Sequence, residues 1–182
     1  MASKLIITGF LPFLDNAENP SEKVARFLLS RGYEGGILKV SYQAVEEFFS
    51  ALDNGMGPFL LFGLAGKRSG ISLERFAFNE TKETLKDVDG KIPPSQEVLK
   101  GGEAIAATSF SLEEIESILQ KEGIPTRVST DPGRYLCNYA YYLALKKSNG
   151  KALFVHLPPE SEAMSIEDMQ RVASLLADSL AI

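Results

Sequence analysis

One thiol and one imidazole are present in 182 residues, and both lie where nucleophilic chemistry would place them. Cys137 falls in DPGRYLCNYAYYLAL, where a turn containing Pro132 and Gly133 gives way to an apolar run of helical character. A neutral thiol is a poor nucleophile at pH 7, whereas the thiolate is a good one, and the free N–H groups and dipole of a helix N-terminus favour the anion. His156 closes the hydrophobic segment ALFVH, just before Leu157, Pro158 and Pro159. That predicts an imidazole at the carboxyl end of a strand, the side of a parallel α/β sheet where ligands gather. Its ordinary pKa also suits general-base work near neutrality. Both residues have plainer readings: free cysteine is among the most buried residue types, and a lone histidine can be satisfied inside a loop.

Three further features could complete or compete with such a site. Glu74, inside the otherwise apolar ISLERFAFN, could orient the imidazole and stabilise imidazolium. Spacing alone explains it more simply as an ion pair with Arg68 or Arg75. Arg134 could add positive potential beside the thiol or be a solvated loop charge. GLAGKRSG, three glycines after a strand, could cradle an anion, but it lacks the pattern of a nucleotide-binding loop. Phe10 and Phe13 flank Pro12 in a segment that reads as an exposed loop, and could form an apolar pocket or belong to the core.

The elements that must position these groups follow from the periodicity. Leu5 to Thr8 reads as a buried strand, and Pro20-Ser21 opens a helix with Val24, Phe27 and Leu28 on one face. Ile37 to Val40 reads as the next strand, punctuated by Gly35-Gly36. A helix over YQAVEEFFSAL, the strand FLLFG and one half-polar strand over SLERFAFN follow. Residues 80–102 are polar and rich in Gly and Pro, which predicts an irregular loop or hairpin. SLEEIESILQKEG predicts a helix with Ser111 as N-cap, Glu114 at the capping-box position and Gly123 at its end. A strand near Thr126 to Val128, the Cys137 helix, the strand ALFVH and a helix from about Ser165 complete the chain. Short apolar strands alternating with helices predict a three-layer α/β/α sandwich on a twisted, largely parallel (mixed) sheet, as a single domain over 1–182.

Composition narrows the function further. The net charge of −5 with scattered Lys and Arg gives no footprint for nucleic acid or an anionic membrane. A single cysteine excludes an intramolecular disulfide and a multi-cysteine zinc site. MASKLIITGF has too short an apolar stretch for a signal peptide, so a cytoplasmic location is expected.

Taken in order, the segments resemble the pyroglutamyl peptidase type I family of cysteine peptidases. TGFLPF (8–13) and NPS (19–21) resemble the family's GFxPF and NPS, and GLAGKR with ISLERFAFN resembles GxAGGR and IxxERVAIN. GRYLCNYAYY, FVHLP and MSIEDM resemble AGTFxCNxxxY, FIHxP and SMSLE. The resemblance implies the family's hydrolase-type α/β/α fold and removal of an N-terminal pyroglutamyl residue from peptides. It implies no cofactor or metal, and a homo-oligomer (dimer or tetramer). By matched motif, Cys137 would be the nucleophile, His156 the base and Glu74 the orienting carboxylate. Phe10, Phe13, Tyr135, Leu136, Leu64 and Arg68 carry over as substrate-binding positions. The chain departs from the family pattern at Leu11, Leu14, Leu64 and Lys67, after His156, and around Thr84, where the family often has arginine. Those departures leave two alternatives on the same fold: a non-hydrolytic peptide-binding protein, or a thiol amidase for another acyl group.

Overall fold

The computed structural model describes residues 4–13 and 18–180; Leu14 lies outside them. In chain order the elements are β1 (Ile6–Phe10), α1 (Pro20–Leu29), β2 (Glu34–Leu38), α2 (Tyr42–Ser50), β3 (Phe59–Leu64), β4 (Ile71–Glu74), β5 (Phe76–Phe78), β6 (Ile105–Ala107), α3 (Leu112–Lys121), β7 (Thr126–Ser129), α4 (Leu136–Lys147), β8 (Ala152–Leu157) and α5 (Ile166–Leu180). The main sheet has the order β2-β1-β3-β8-β4-β7, and β5 and β6 form a separate antiparallel ribbon. Every neighbouring pair in the main sheet is parallel except β4–β8, so the sheet is mixed and largely parallel.

Strand alternation assigns the two faces. Ile7, Leu60, Phe62, Leu73, Leu153 and Val155 pack with α1, α3 and α5. Ile6, Phe10, Phe59, Leu61 and Phe154 pack with α2 and α4. Two apolar layers around a sheet buried on both sides make the expected three-layer sandwich. The helices supply the matching stripes: α5 turns Met169, Val172, Ala173, Leu176, Ala177 and Leu180 inward at helical spacing. None of the described helices is long and apolar enough to cross a membrane.

Local expectations fail where backbones approach one another. Gly35 and Gly36 do not interrupt the second strand but lie within it, paired with Ile7 and Thr8. Gly35 has φ +142°, and a Cβ there would lie 1.8 Å from the Ile7 carbonyl oxygen, so only glycine lets β2 close on β1. SLERFAFN is two strands: β4 is wholly buried in the main sheet, and Arg75 separates it from β5 in the ribbon. The short β6 had no sequence signal. Ser111 is the N-cap of α3, yet its side chain makes no capping bond; Glu113 and Glu114 supply negative charge to that first turn instead.

Residues 80–102 are irregular, as expected, but they are tied down. Asp87 Oδ2 accepts the amide of Tyr42 at 3.1 Å, capping α2 from 45 residues away, where Ser41 makes no side-chain cap. The hydroxyls of Tyr42 and Tyr135 donate to the carbonyls of Leu85 (3.0 Å) and Lys86 (2.9 Å). The segment is thereby drawn toward the N-termini of α2 and α4.

Candidate active site

The nucleophile candidate is the second residue of α4, after the N-cap Tyr135 and Leu136. The first bond of the helix runs from the Tyr139 amide to the Tyr135 carbonyl at 3.0 Å, so the amides of Leu136, Cys137 and Asn138 have no helical acceptor. They are the donors an oxyanion would need. Asn138 fixes this turn: its Oδ1 accepts the Phe78 amide at 2.8 Å, and its Nδ2 donates to the Phe78 carbonyl at 2.8 Å. Deeper in α4, the Tyr141 hydroxyl donates to the Glu74 carbonyl at 2.7 Å.

Register brings the other two groups under the same helix. Gly63 on β3 is the partner of His156 on β8, and Ser72 and Glu74 on β4 lie opposite His156 and Phe154. Because side chains alternate, Gly63, Phe154, His156, Ser72 and Glu74 all face α4. A Cβ built at Gly63 would stand 2.9 Å from Cys137 Sγ and 2.7 Å from Phe154 Cζ, so the thiol rests over Gly63, beside the histidine. Gly63→Ala should therefore lower kcat/KM about 100-fold by displacing the sulfur. It should also lower stability by roughly 1–3 kcal/mol through overpacking. Steady-state kinetics and thermal melts of the variant check both effects; wild-type kinetics would remove the thiol from this position.

His156 Nδ1 lies 2.7 Å from Glu74 Oε1, with both side chains buried. The same oxygen accepts Arg68 Nη1 at 2.5 Å, and Arg68 Nη2 donates to the Asp131 carbonyl at 3.0 Å. Glu74 Oε1 thus contacts both His156 and Arg68, which makes Arg68 its ion-pair partner; Arg75 pairs with Glu113 instead. Burial by itself would raise the Glu74 carboxyl, but the hydrogen bond and charge of His156, with Ser129 and Arg68, hold it below the ordinary value. Its Oε2 is buried and makes no hydrogen bond. Cys137 behaves oppositely. Burial, then the Glu74 carboxylate, push its thiol up to about 12, against the pull of Arg68 and its own amide. Sγ makes no hydrogen bond to the imidazole; nucleophile–base contacts are often long without substrate and tighten when it binds.

The remaining sequence candidates divide. Phe10 is the last residue of β1, not part of an exposed loop, and is buried on the α4 side, with Phe13 half-buried against the same cluster. The NPS turn holds this strand end. Ser21 Oγ accepts the Phe10 amide at 3.1 Å, and Asn19 Nδ2 donates to the Leu11 carbonyl at 3.2 Å. Tyr135 stands edge-on to Tyr42 with ring centroids 6.3 Å apart, and Leu136 is buried beneath the helix start. Leu64 sits one residue beyond Gly63, so alternation turns it away from the thiol into a surface cleft with Pro20, Lys23 and Pro159. Arg68 is committed to Glu74 and Asp131. Arg134 is neither a free positive charge nor a solvated one: it pairs with Glu80 and Asp131 and lies 3.7 Å over the Phe78 ring. Thr84 lines a separate hollow with Lys82 and Gln96. Sequence reasoning missed Gly63, Asn138 and Asp87; only Asn138 carried a signal, its adjacency to Cys137.

Comparison with known proteins identifies a matching family, relatives and similar folds. A model of the family described as pyroglutamyl peptidase matches residues 3–180. A pyrrolidone-carboxylate peptidase from Halalkalibacterium halodurans is 31% identical over 99% of this chain and 100% of that protein. The structure of pyrrolidone carboxyl peptidase from Fervidobacterium islandicum superposes with a TM-score of 0.84 at 30% identity, covering 98% of each chain. The corresponding structure from Thermococcus litoralis gives a TM-score of 0.85 at 25% identity, over 98% of this chain and 93% of that one.

Proposed function

We propose that this chain, which belongs to the pyroglutamyl peptidase family, hydrolyses the amide bond after an N-terminal pyroglutamyl residue through Cys137, His156 and Glu74. The observation that carries this assignment is the buried 2.7 Å contact between His156 and Glu74 on the face that also holds the Cys137 sulfur. With the thiol pushed up to about 12, the nucleophile is generated during the reaction, not stored as a thiolate. His156 Nε2 takes the Sγ proton as sulfur bonds to the pyroglutamyl carbonyl carbon. The amides at the start of α4 receive the oxyanion. The imidazolium, stabilised by Glu74, then protonates the leaving nitrogen as the C–N bond breaks. Water, deprotonated by the same imidazole, cleaves the thioester, releases pyroglutamate and restores the thiol.

Phe10, Phe13 and Tyr135 are the apolar walls for the lactam. Pyroglutamate carries no amine charge, so a flat apolar slot suits it and a free N-terminal ammonium is penalised on entry. A reducing, cytoplasmic setting and assembly into dimers or tetramers belong to the same proposal, the first because a catalytic thiol must stay unoxidised. The direct test is release of 7-amino-4-methylcoumarin from its pyroglutamyl amide in reducing buffer, with the glutaminyl and prolyl amides alongside. Selective turnover of the pyroglutamyl amide is expected; no turnover by a folded protein would overturn the assignment.

A further inference from the structure

The glycine-containing loop after β3 has no part in the chemistry above beyond lending Arg68 to Glu74. With the segment that opens β7 it encloses a cleft of about 440 Å³, lined by Lys67, Arg68, Ser69, Gln120, Thr126 and Arg127. Lys67 and Arg127 are exposed, and no carboxylate among the described residues pairs with either. Glu74, Glu116 and Asp131 on the flanking elements are engaged elsewhere. Glu74 holds His156 and Arg68, Glu116 Oε1 accepts the Val128 amide, and Asp131 Oδ1 accepts from Arg134 and the Gly133 amide. In a chain of net charge −5 this leaves a local positive opening.

Register places one wall of that opening, Arg127, in line with His156. Arg127 on β7 is the partner of Ser72 on β4, and Ser72 is in turn the partner of His156 on β8. Arg127 Nε also lies 3.4 Å from Ser72 Oγ, so the three residues form one row on the α4 side of the sheet. Two strand spacings put the Arg127 backbone about 10 Å from that of His156, roughly the span of three extended residues.

Resting on the peptidase reading, we infer that this cleft is a subsite for a carboxylate on the departing peptide, two or three residues beyond the pyroglutamyl group, held by Lys67 and Arg127. An acidic side chain and the free C-terminus of a short peptide offer the same chemistry.

Three peptides separate these sources: pyroglutamyl-Ala-Ala amide, pyroglutamyl-Ala-Asp amide and pyroglutamyl-Ala-Ala with a free carboxylate, with product release followed by chromatography. The inference expects kcat/KM for at least one charged peptide to exceed that of the neutral amide roughly fivefold at low ionic strength. Whichever charged peptide is favoured names the source. The advantage should shrink in about 0.5 M salt and vanish in the Lys67→Ala/Arg127→Ala double variant. Equal rates on all three peptides, or a preference that survives the double substitution, overturn the subsite and leave the peptidase reading standing. Failure of the wild type to cleave even the neutral peptide or the coumarin amide overturns the peptidase reading itself.

Discussion

Cys137→Ala is expected to lower turnover of the pyroglutamyl coumarin amide by about 10⁴- to 10⁶-fold, to the level that binding and oxyanion donors alone sustain. The fold should survive. Cys137 Sγ makes no hydrogen bond to another described residue, so removing the sulfur breaks no polar contact. A matched thermal melt therefore separates lost chemistry from lost structure. The raised thiol adds a second readout. Because burial holds Cys137 protonated up to about 12, alkylation by iodoacetamide in the absence of substrate should be slow at pH 7 and climb steeply above the ordinary thiol range. Rapid, pH-independent alkylation near neutrality would mean a stored thiolate, and His156 would not be the base that generates the nucleophile. Linkage gives the matching stability trend: the neutral, half-buried thiol contributes fully below the ordinary thiol pKa. That contribution is lost as pH rises toward about 12.

Glu74→Gln is the second large effect, with kcat falling by about 10³–10⁴-fold and KM little changed. The amide keeps the shape of the carboxylate but not the charge that stabilises imidazolium, and its NH2 group, turned toward Nδ1, would hold the ring in the wrong tautomer. This variant decides between two roles that the geometry joins, since Glu74 Oε1 serves both His156 and Arg68. A carboxylate needed only as counter-ion to Arg68 would cost stability and spare kcat. A kcat loss under tenfold would therefore remove Glu74 from the catalytic unit. The acid limb of the stability curve carries the complementary signal. A carboxyl held below its ordinary value contributes stability that is complete above that value, about 4.3 for glutamate. The contribution is lost as pH falls through the lowered folded value. In Glu74→Gln that part of the acid transition should flatten, which denaturant melts from pH 2 to 7 would reveal.

The three residues proposed for catalysis stood out in the sequence because each sits at a local boundary that sequence records. Cys137 lies where a glycine turn meets a helix, His156 where an apolar strand meets prolines, and Glu74 as an acid inside an apolar run. Motif order then joined the three without any knowledge of distance. What stayed hidden depends on partners remote in the chain. Asp87 caps α2 although nothing beside Ser41 announces it, and the Gly35-Gly36 pair reads as a break until Ile7 is seen against it.

By itself, the sequence determined most of the burial pattern, the order of the main-sheet strands and the helices, and the residue types available for chemistry, because periodicity and residue type are local properties. The tertiary structure decided which of those groups meet. Strand register set His156 beside Gly63, and alternation turned Leu64 to the far face. Ion pairs gave Arg68 to Glu74 and neutralised Arg134, the latter with Glu80 from 54 residues away and with Asp131. The widest of those contacts, Gly63 with His156, joins residues 93 apart in the chain, and only packing a complete sheet between two helical layers brings such segments together.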